Sequence, residues 1–208
     1  MTDVVTGTAG RPLSARGLDT RRRLLDAAEQ VFAELGYVDA SIVKLTETAG
    51  VAQGTFYLYF DSKKAVFDEL VRDLNKRVRH AMKEGSSKGG TRLESELLGF
   101  HAYFRFTAEH PALYRIIRQA EFVSPEMLHY HYEHLSQGYI EALAEAVDAG
   151  EVGKLDPEVT AWALMGLGEL GRGQPLLGEI RGGRLQANAS QSGASRTARM
   201  IRSSSAAT

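Results

Sequence analysis

The sequence predicts an all-α protein, and three observations predict it. Strand signals are almost absent, because no stretch alternates apolar and polar residues between turn dipeptides. Apolar residues recur at helical spacing along most of the chain. The periodic runs are also bounded by residues that start or stop helices.

The elements follow in order. Leu24, Ala28, Val31, Phe32 and Leu35 fall on one face of a first helix, which Gly36 stops. Ser41 is an N-cap for a short second helix with Ile42, Leu45 and Ala49 inward, and Gly50 ends it. A third short helix holds Gln53 to Phe60. Ser62 caps a long fourth helix whose stripe is Phe67, Leu70, Val71, Leu74 and Val78. The run GSSKGG at 85–90 breaks the pattern and is a candidate domain boundary. Further helices are expected from about Thr91 to Glu109, from Pro111, from Ser124–Pro125 to about Ala149, and from Asp156–Pro157 to about Leu170.

Composition narrows the function classes. With 208 residues, 43% of them hydrophobic, the chain can bury a core of ordinary size. No apolar run approaches the roughly 20 residues that span a bilayer, and the first ten residues lack the apolar stretch of a secretory signal. A cytoplasmic location without membrane association is the expectation. The absence of cysteine excludes disulfide scaffolds, thiolate zinc sites and cysteine nucleophiles.

Net charge is −1, but it is segregated: +1 over residues 1–80, −7 over 81–170 and +5 over 171–208. Arg11, Arg16, Arg21, Arg22 and Arg23 face only Asp19 in their neighbourhood. A basic segment beside an acidic body suggests a polyanionic partner at that end; a solvated helix entrance is the bland alternative. The last 38 residues hold 18 Gly, Ser or Ala and no aromatic residue, so they are expected to be mostly disordered.

Two short helices around a four-residue, glycine-containing connection have the spacing of a helix-turn-helix. The second helix of such a pair enters the major groove and offers its N-terminal residues to DNA. Here that helix carries Gln53, Gly54, Thr55, Tyr57 and Tyr59. Glutamine pairs with adenine N6 and N7, and Thr and Tyr hydroxyls suit phosphate oxygens. Gly54 lets a backbone approach closely. Lys44 and Lys63, each near a helix start, could flank the groove.

The segment 20–70 resembles the DNA-binding domain of the TetR family of transcriptional regulators. The likeness is carried by LLDAAEQVFAELGY, by the AGV turn at Ala49–Val51 and by GTFYLYFDSKKAVF at 54–67. It implies a repressor that binds palindromic operator DNA as a homodimer, released by a small effector held among the later helices. The chain then divides into a flexible basic arm at 1–18, the helix-turn-helix domain at 19–62, an effector-binding and dimerisation domain at 63–170 opening with a connecting helix at 63–84, and the tail at 171–208.

Three departures from the family stand out. Ala52 replaces the usual Ser or Thr cap of the recognition helix, a loss of about 1 kcal/mol. Thr46 occupies a position where a small Ala is usual. The sequence after Leu170 does not supply the long last helix of the family's dimer interface and looks like a shifted reading frame or a degraded terminus, so a weakened dimer is expected.

Candidate effector contacts are Phe100, His101, Phe104, Tyr114, Ile117, Arg118, Tyr132, Tyr139 and Trp162. Aromatic density with polar tips suits a pocket between helices, although helical aromatics are mostly core. Similar family members suggest a hydrophobic or acyl ligand such as a coenzyme A thioester, with arginines for its phosphates. HYHYEH at 129–134 raises the option of a metal-dependent helical enzyme, but there is no phosphate-binding glycine loop, G-x-S-x-G or HExxH. No resident cofactor or catalytic residue is expected. A helical scaffold that has lost DNA binding is the other alternative.

Overall fold

Residues with strong start and stop preferences set the helix limits in residues 5–171, the part of the chain that the computed structural model describes. The helices are α1 (Ala15–Asp39), α2 (Ile42–Ala49), α3 (Gln53–Phe56), α4 (Lys63–Ser86), α5 (Arg92–Glu109), α6 (Ala112–Val123), α7 (Pro125–Asp148) and α8 (Pro157–Gly171). The expected all-α class is the one observed; among the described residues extended backbone pairs at one isolated bridge, Thr6 with Pro12. The reading of 171–208 as a disordered tail falls, apart from Gly171, outside the described residues.

Caps act where the sequence places them. The Ser41 side chain accepts from the Lys44 N–H at 3.1 Å, and Ser62 Oγ accepts from the Ala65 N–H at 3.0 Å. Asp156 accepts from the N–H groups of Glu158 and Val159 at 2.9 and 3.0 Å, opening α8. Inside α1 the backbone leaves helical geometry at Gly36 (φ 78°, ψ 164°), where the sequence predicts a stop. Gln119 of α6 covers the groups that this break exposes: its Nε2 donates to the Phe32 carbonyl at 3.2 Å, and its Oε1 accepts from the Tyr37 N–H at 2.5 Å.

One helix start and one helix end differ from expectation. Helix α1 begins at Ala15, four residues before the predicted domain start, because Ser14 supplies an N-cap by accepting from Gly17 N–H. Helix α3 ends at Phe56 rather than Phe60. Beyond it the N–H groups of Leu58 and Tyr59 bond three residues back, to Thr55 and Phe56, so the chain continues as tight turns toward α4.

The described residues form two compact units. The first comprises, among the described residues, 5–80 and 105–133. Its core holds Leu24, Ala28, Val31 and Phe32 of α1 against Phe67, Leu70, Val71 and Leu74 of α4, all at most 1% exposed. Phe32 and Phe67 meet edge-on at 5.4 Å, and Tyr37 packs on both. Each such side chain contributes about 1.5–3 kcal/mol of burial. Leu35, predicted inward, is exposed instead; it lies beside the Gly36 break, where the helical face is lost. The second unit comprises, among the described residues, 81–104 and 134–171. There the end of α4 approaches α5 so closely at Gly85 that a Cβ would sit 2.6 Å from Ala102 Cβ.

Candidate nucleic-acid interface

All seven predicted DNA-contacting residues lie in the first unit, on α2, α3, the turn after it and the first residue of α4. Two devices fix this segment from inside. Phe56 and Phe60 are buried at 0% and 3% exposure with ring centres 5.6 Å apart, and they anchor α3 and its following turn. Gly50 takes the left-handed cap conformation (φ 65°) that ends α2. The Arg23 guanidinium donates to the carbonyls of Ala49 (2.5 Å) and Gly50 (3.0 Å), so α1 pins the α2–α3 turn directly.

What the anchored segment exposes is polar. Gln53 and Gly54 are exposed, Thr55 and Tyr59 are half-buried, and Tyr57 is 49% exposed. Lys44 is exposed on α2. A Cβ built on Gly54 meets nothing within 4 Å, so the chain itself leaves space above α3. Ala52 holds the extended conformation of an N-cap (φ −66°, ψ 144°) but supplies no side-chain bond. The first N–H groups of α3 therefore have no side-chain acceptor from the cap position.

Lys63 has a different environment. Its ammonium donates to the carbonyls of Tyr37 and Ala40, both at 2.7 Å, so it ties α4 to the end of α1. The arginine run is likewise engaged within the fold. Arg21 pairs with Glu69 and lies 5.1 Å from the Phe60 ring centre. Arg22 reaches both oxygens of Asp73 at 3.0–3.1 Å and Asp26 at 2.7 Å. Sequence reasoning saw a basic surface here; the acids that answer it, Glu69 and Asp73, lie about fifty residues on and become neighbours only through packing of α4 on α1. Thr46 is buried, and its hydroxyl bonds the Ile42 and Val43 carbonyls, which makes its polarity tolerable at a close contact.

The nine effector candidates divide between the units. In the second, Phe100 lies 6.5 Å from Phe104 and 5.6 Å from Tyr139 (ring centres), while His101 is half-buried and Trp162 is 45% exposed. Burial, and secondarily Glu96 and Tyr103, pushes the Tyr139 phenol well above its usual value. In the first, Ile117 is buried, Arg118 donates to the Tyr114 hydroxyl at 3.1 Å, and Tyr132 is half-buried against His131. A groove of about 440 Å³ runs along α4 past Tyr130 and is lined by none of the nine.

The histidines of HYHYEH diverge. His131 is buried, with Asn75 Nδ2 3.0 Å from its Nδ1 and 3.0 Å from its carbonyl oxygen. His129 is exposed and pairs with Glu133 at 2.9 Å. Among the described residues no group of three or more His, Asp or Glu is arranged to hold a metal ion. None of their helices is long and apolar enough to cross a membrane.

A capped helix, a tight glycine turn and a second helix presenting an exposed Gln at its start have the arrangement of a helix-turn-helix. Residues 24–70 match the profile of the bacterial regulatory proteins, tetR family. The chain is 35% identical over 118 residues to the uncharacterized HTH-type transcriptional regulator YdgC of Bacillus subtilis, an alignment covering 55% of this chain and 59% of YdgC. It thus spans less than two thirds of that relative. Against the fatty acid metabolism regulator protein of the same organism it is 27% identical over 161 residues, covering 68% of this chain and 82% of that one. The fold is similar to that of the transcriptional regulator FadR from Bacillus subtilis in complex with stearoyl-CoA, with TM-score 0.66 and 23% identity over 76% of this chain and 88% of that one. These relatives are transcriptional regulators rather than enzymes.

Proposed function

We propose that this chain is a cytoplasmic, non-enzymatic repressor that binds palindromic operator DNA as a dimer and releases it when a hydrophobic acyl ligand binds. The observation that carries the DNA reading is the start of α3, exposed at Gln53 and Gly54, held from beneath by Phe56 and pinned through the preceding turn by Arg23. Gln53 is the base reader, and Thr55, Tyr57, Tyr59 and Lys44 meet phosphates, with Gly54 allowing close approach. Lys63 serves this interface by holding α4 against the end of α1.

The effector class is supported by the relative that binds stearoyl-CoA and by the Phe100–Phe104–Tyr139 cluster, an apolar surface with one polar tip. An acyl ligand that favours one conformer over another shifts the spacing of the two reading heads and so lowers operator affinity.

The test is selection of duplexes from a random library by the full-length protein, followed by anisotropy titration of the selected duplex over a range of salt. An enriched palindrome whose affinity falls linearly with log salt supports the reading. Indifference to sequence refutes it. Adding stearoyl-CoA should then release the selected duplex; retention of DNA at saturating ligand removes the acyl effector and leaves the DNA reading in place.

A further inference from the structure

The recognition element is short for its task. Helix α3 is four residues long and lacks a side-chain cap, so its own hydrogen bonds cannot hold it. Phe56 and Phe60 fix it from the core side. A second set of contacts comes from the N-terminal residues, in a region where the sequence predicts a flexible arm.

Residues 5–13 close on themselves. The Leu13 N–H donates to the Val5 carbonyl at 3.0 Å, the Gly7 N–H to the Arg11 carbonyl at 3.0 Å, and the Gly10 N–H to the Gly7 carbonyl at 2.9 Å. The loop is joined to α1 through Ser14, the N-cap of that helix. Its shape is thus set by its own bonds and by α1. From this loop Thr8 donates twice to the turn after α3. Its N–H reaches the Leu58 carbonyl at 3.1 Å, and its hydroxyl reaches the Tyr57 carbonyl at 2.8 Å. Gly7 lies so close that a Cβ would stand 2.7 Å from the Leu58 oxygen, a distance real Cβ atoms do not adopt. The absence of a side chain there is what lets the loop seat.

We infer that residues 5–13 form a strap that sets the register of the reading turn, with Thr8 as a positioning residue for Tyr57. This rests on the proposal that the α3 segment reads DNA. Tyr57 and Leu58 expose large side chains, and their carbonyls lie just past the last helical residue, where no intrahelical donor serves them. Without the strap the turn keeps its Phe anchors but loses the bonds that fix how Tyr57 is presented. The consequence falls on discrimination between sequences, because base contacts require the reading residues in one geometry while phosphate attraction tolerates several.

The experiment uses the full-length protein, the duplex it selects from a random library and a scrambled duplex of the same composition. Thr8→Ala should weaken the selected duplex roughly tenfold and the scrambled one little, the scale set by one lost hydrogen bond. Thr8→Ser should restore the ratio. Gly7→Val, which displaces the loop sterically, should reproduce the Thr8→Ala phenotype or exceed it. Arg11→Ala removes an exposed charge but no bond of the strap, and should leave the ratio unchanged. Thermal midpoints are recorded alongside. If Thr8→Ala and Gly7→Val discriminate as the wild type does, the strap has no role in reading. If they lose both duplexes in parallel with a fall in midpoint, the strap is a stability element and the positioning role is overturned. If the wild type itself does not discriminate, the DNA reading fails first, and the strap with it.

Discussion

Lys63 closes the end of α1 on Tyr37: its ammonium donates to the Tyr37 carbonyl at 2.7 Å and lies 4.4 Å from the centre of the same residue's ring. A further bond to the Ala40 carbonyl leaves this lysine engaged across the α1–α2 connection. On the proposed DNA-binding reading, a side chain so occupied serves by fixing the head rather than by reaching a phosphate.

Lys63→Met should therefore cost about 2 kcal/mol in denaturant-monitored stability, the scale of hydrogen bonds to a charged donor. Affinity for all duplexes should fall together. The slope of log affinity against log salt should stay at its wild-type value, whereas loss of a phosphate contact would reduce it by about 1. Equilibrium unfolding and salt-titrated anisotropy check both parts.

Ala52 already has cap geometry without a capping oxygen. Ala52→Ser should stabilise the head by about 1 kcal/mol and tighten binding to selected and scrambled duplexes alike. An unchanged thermal midpoint would show that the α3 N-terminus is satisfied in some other way.

Tyr57 is half exposed on the turn that follows α3. Tyr57→Phe keeps the ring and removes the hydroxyl. Affinity for all sequences should drop severalfold with the preference among them intact, as expected of a phosphate contact. Parallel titrations of selected and scrambled duplexes measure this.

Tyr139 carries a pH prediction. Its native pKa is raised above the ordinary 10.0, first by burial and then by Glu96 and Tyr103. Above about pH 10 the unfolded chain releases this proton while the native state keeps it, so the stability it confers is present below that pH and is lost as pH rises. Tyr139→Phe should flatten the alkaline fall in stability and remove one late-titrating phenol from the absorbance titration.

Much of this was legible because helix ends depend on local chemistry. Ser41, Ser62 and Asp156 each cap the helix expected of them, and Gly36 and Gly50 end the runs they follow. The stripe on α4 is buried as its spacing predicts, with Asn75 set among the apolar residues against His131. What stayed hidden depends on partners distant in sequence. The Arg21–Arg23 run reads as free charge until α4 brings Glu69 and Asp73 to it and the α2 carbonyls meet Arg23. No local signal marks Thr8, whose acceptors lie 49 and 50 residues away. The early end of α3 is partly legible in Ala52, which forgoes the cap that would help extend a helix.

The central claim is that Gln53 reads a base edge in the major groove. The most direct measurement replaces single adenines of the selected duplex with 7-deazaadenine, which lacks the N7 acceptor, and compares wild type with Gln53→Ala by anisotropy. At one position in each half-site the substitution should cost the wild type about 1–3 kcal/mol and cost Gln53→Ala nothing. Equal losses for both proteins, or no loss at any adenine, would contradict the account.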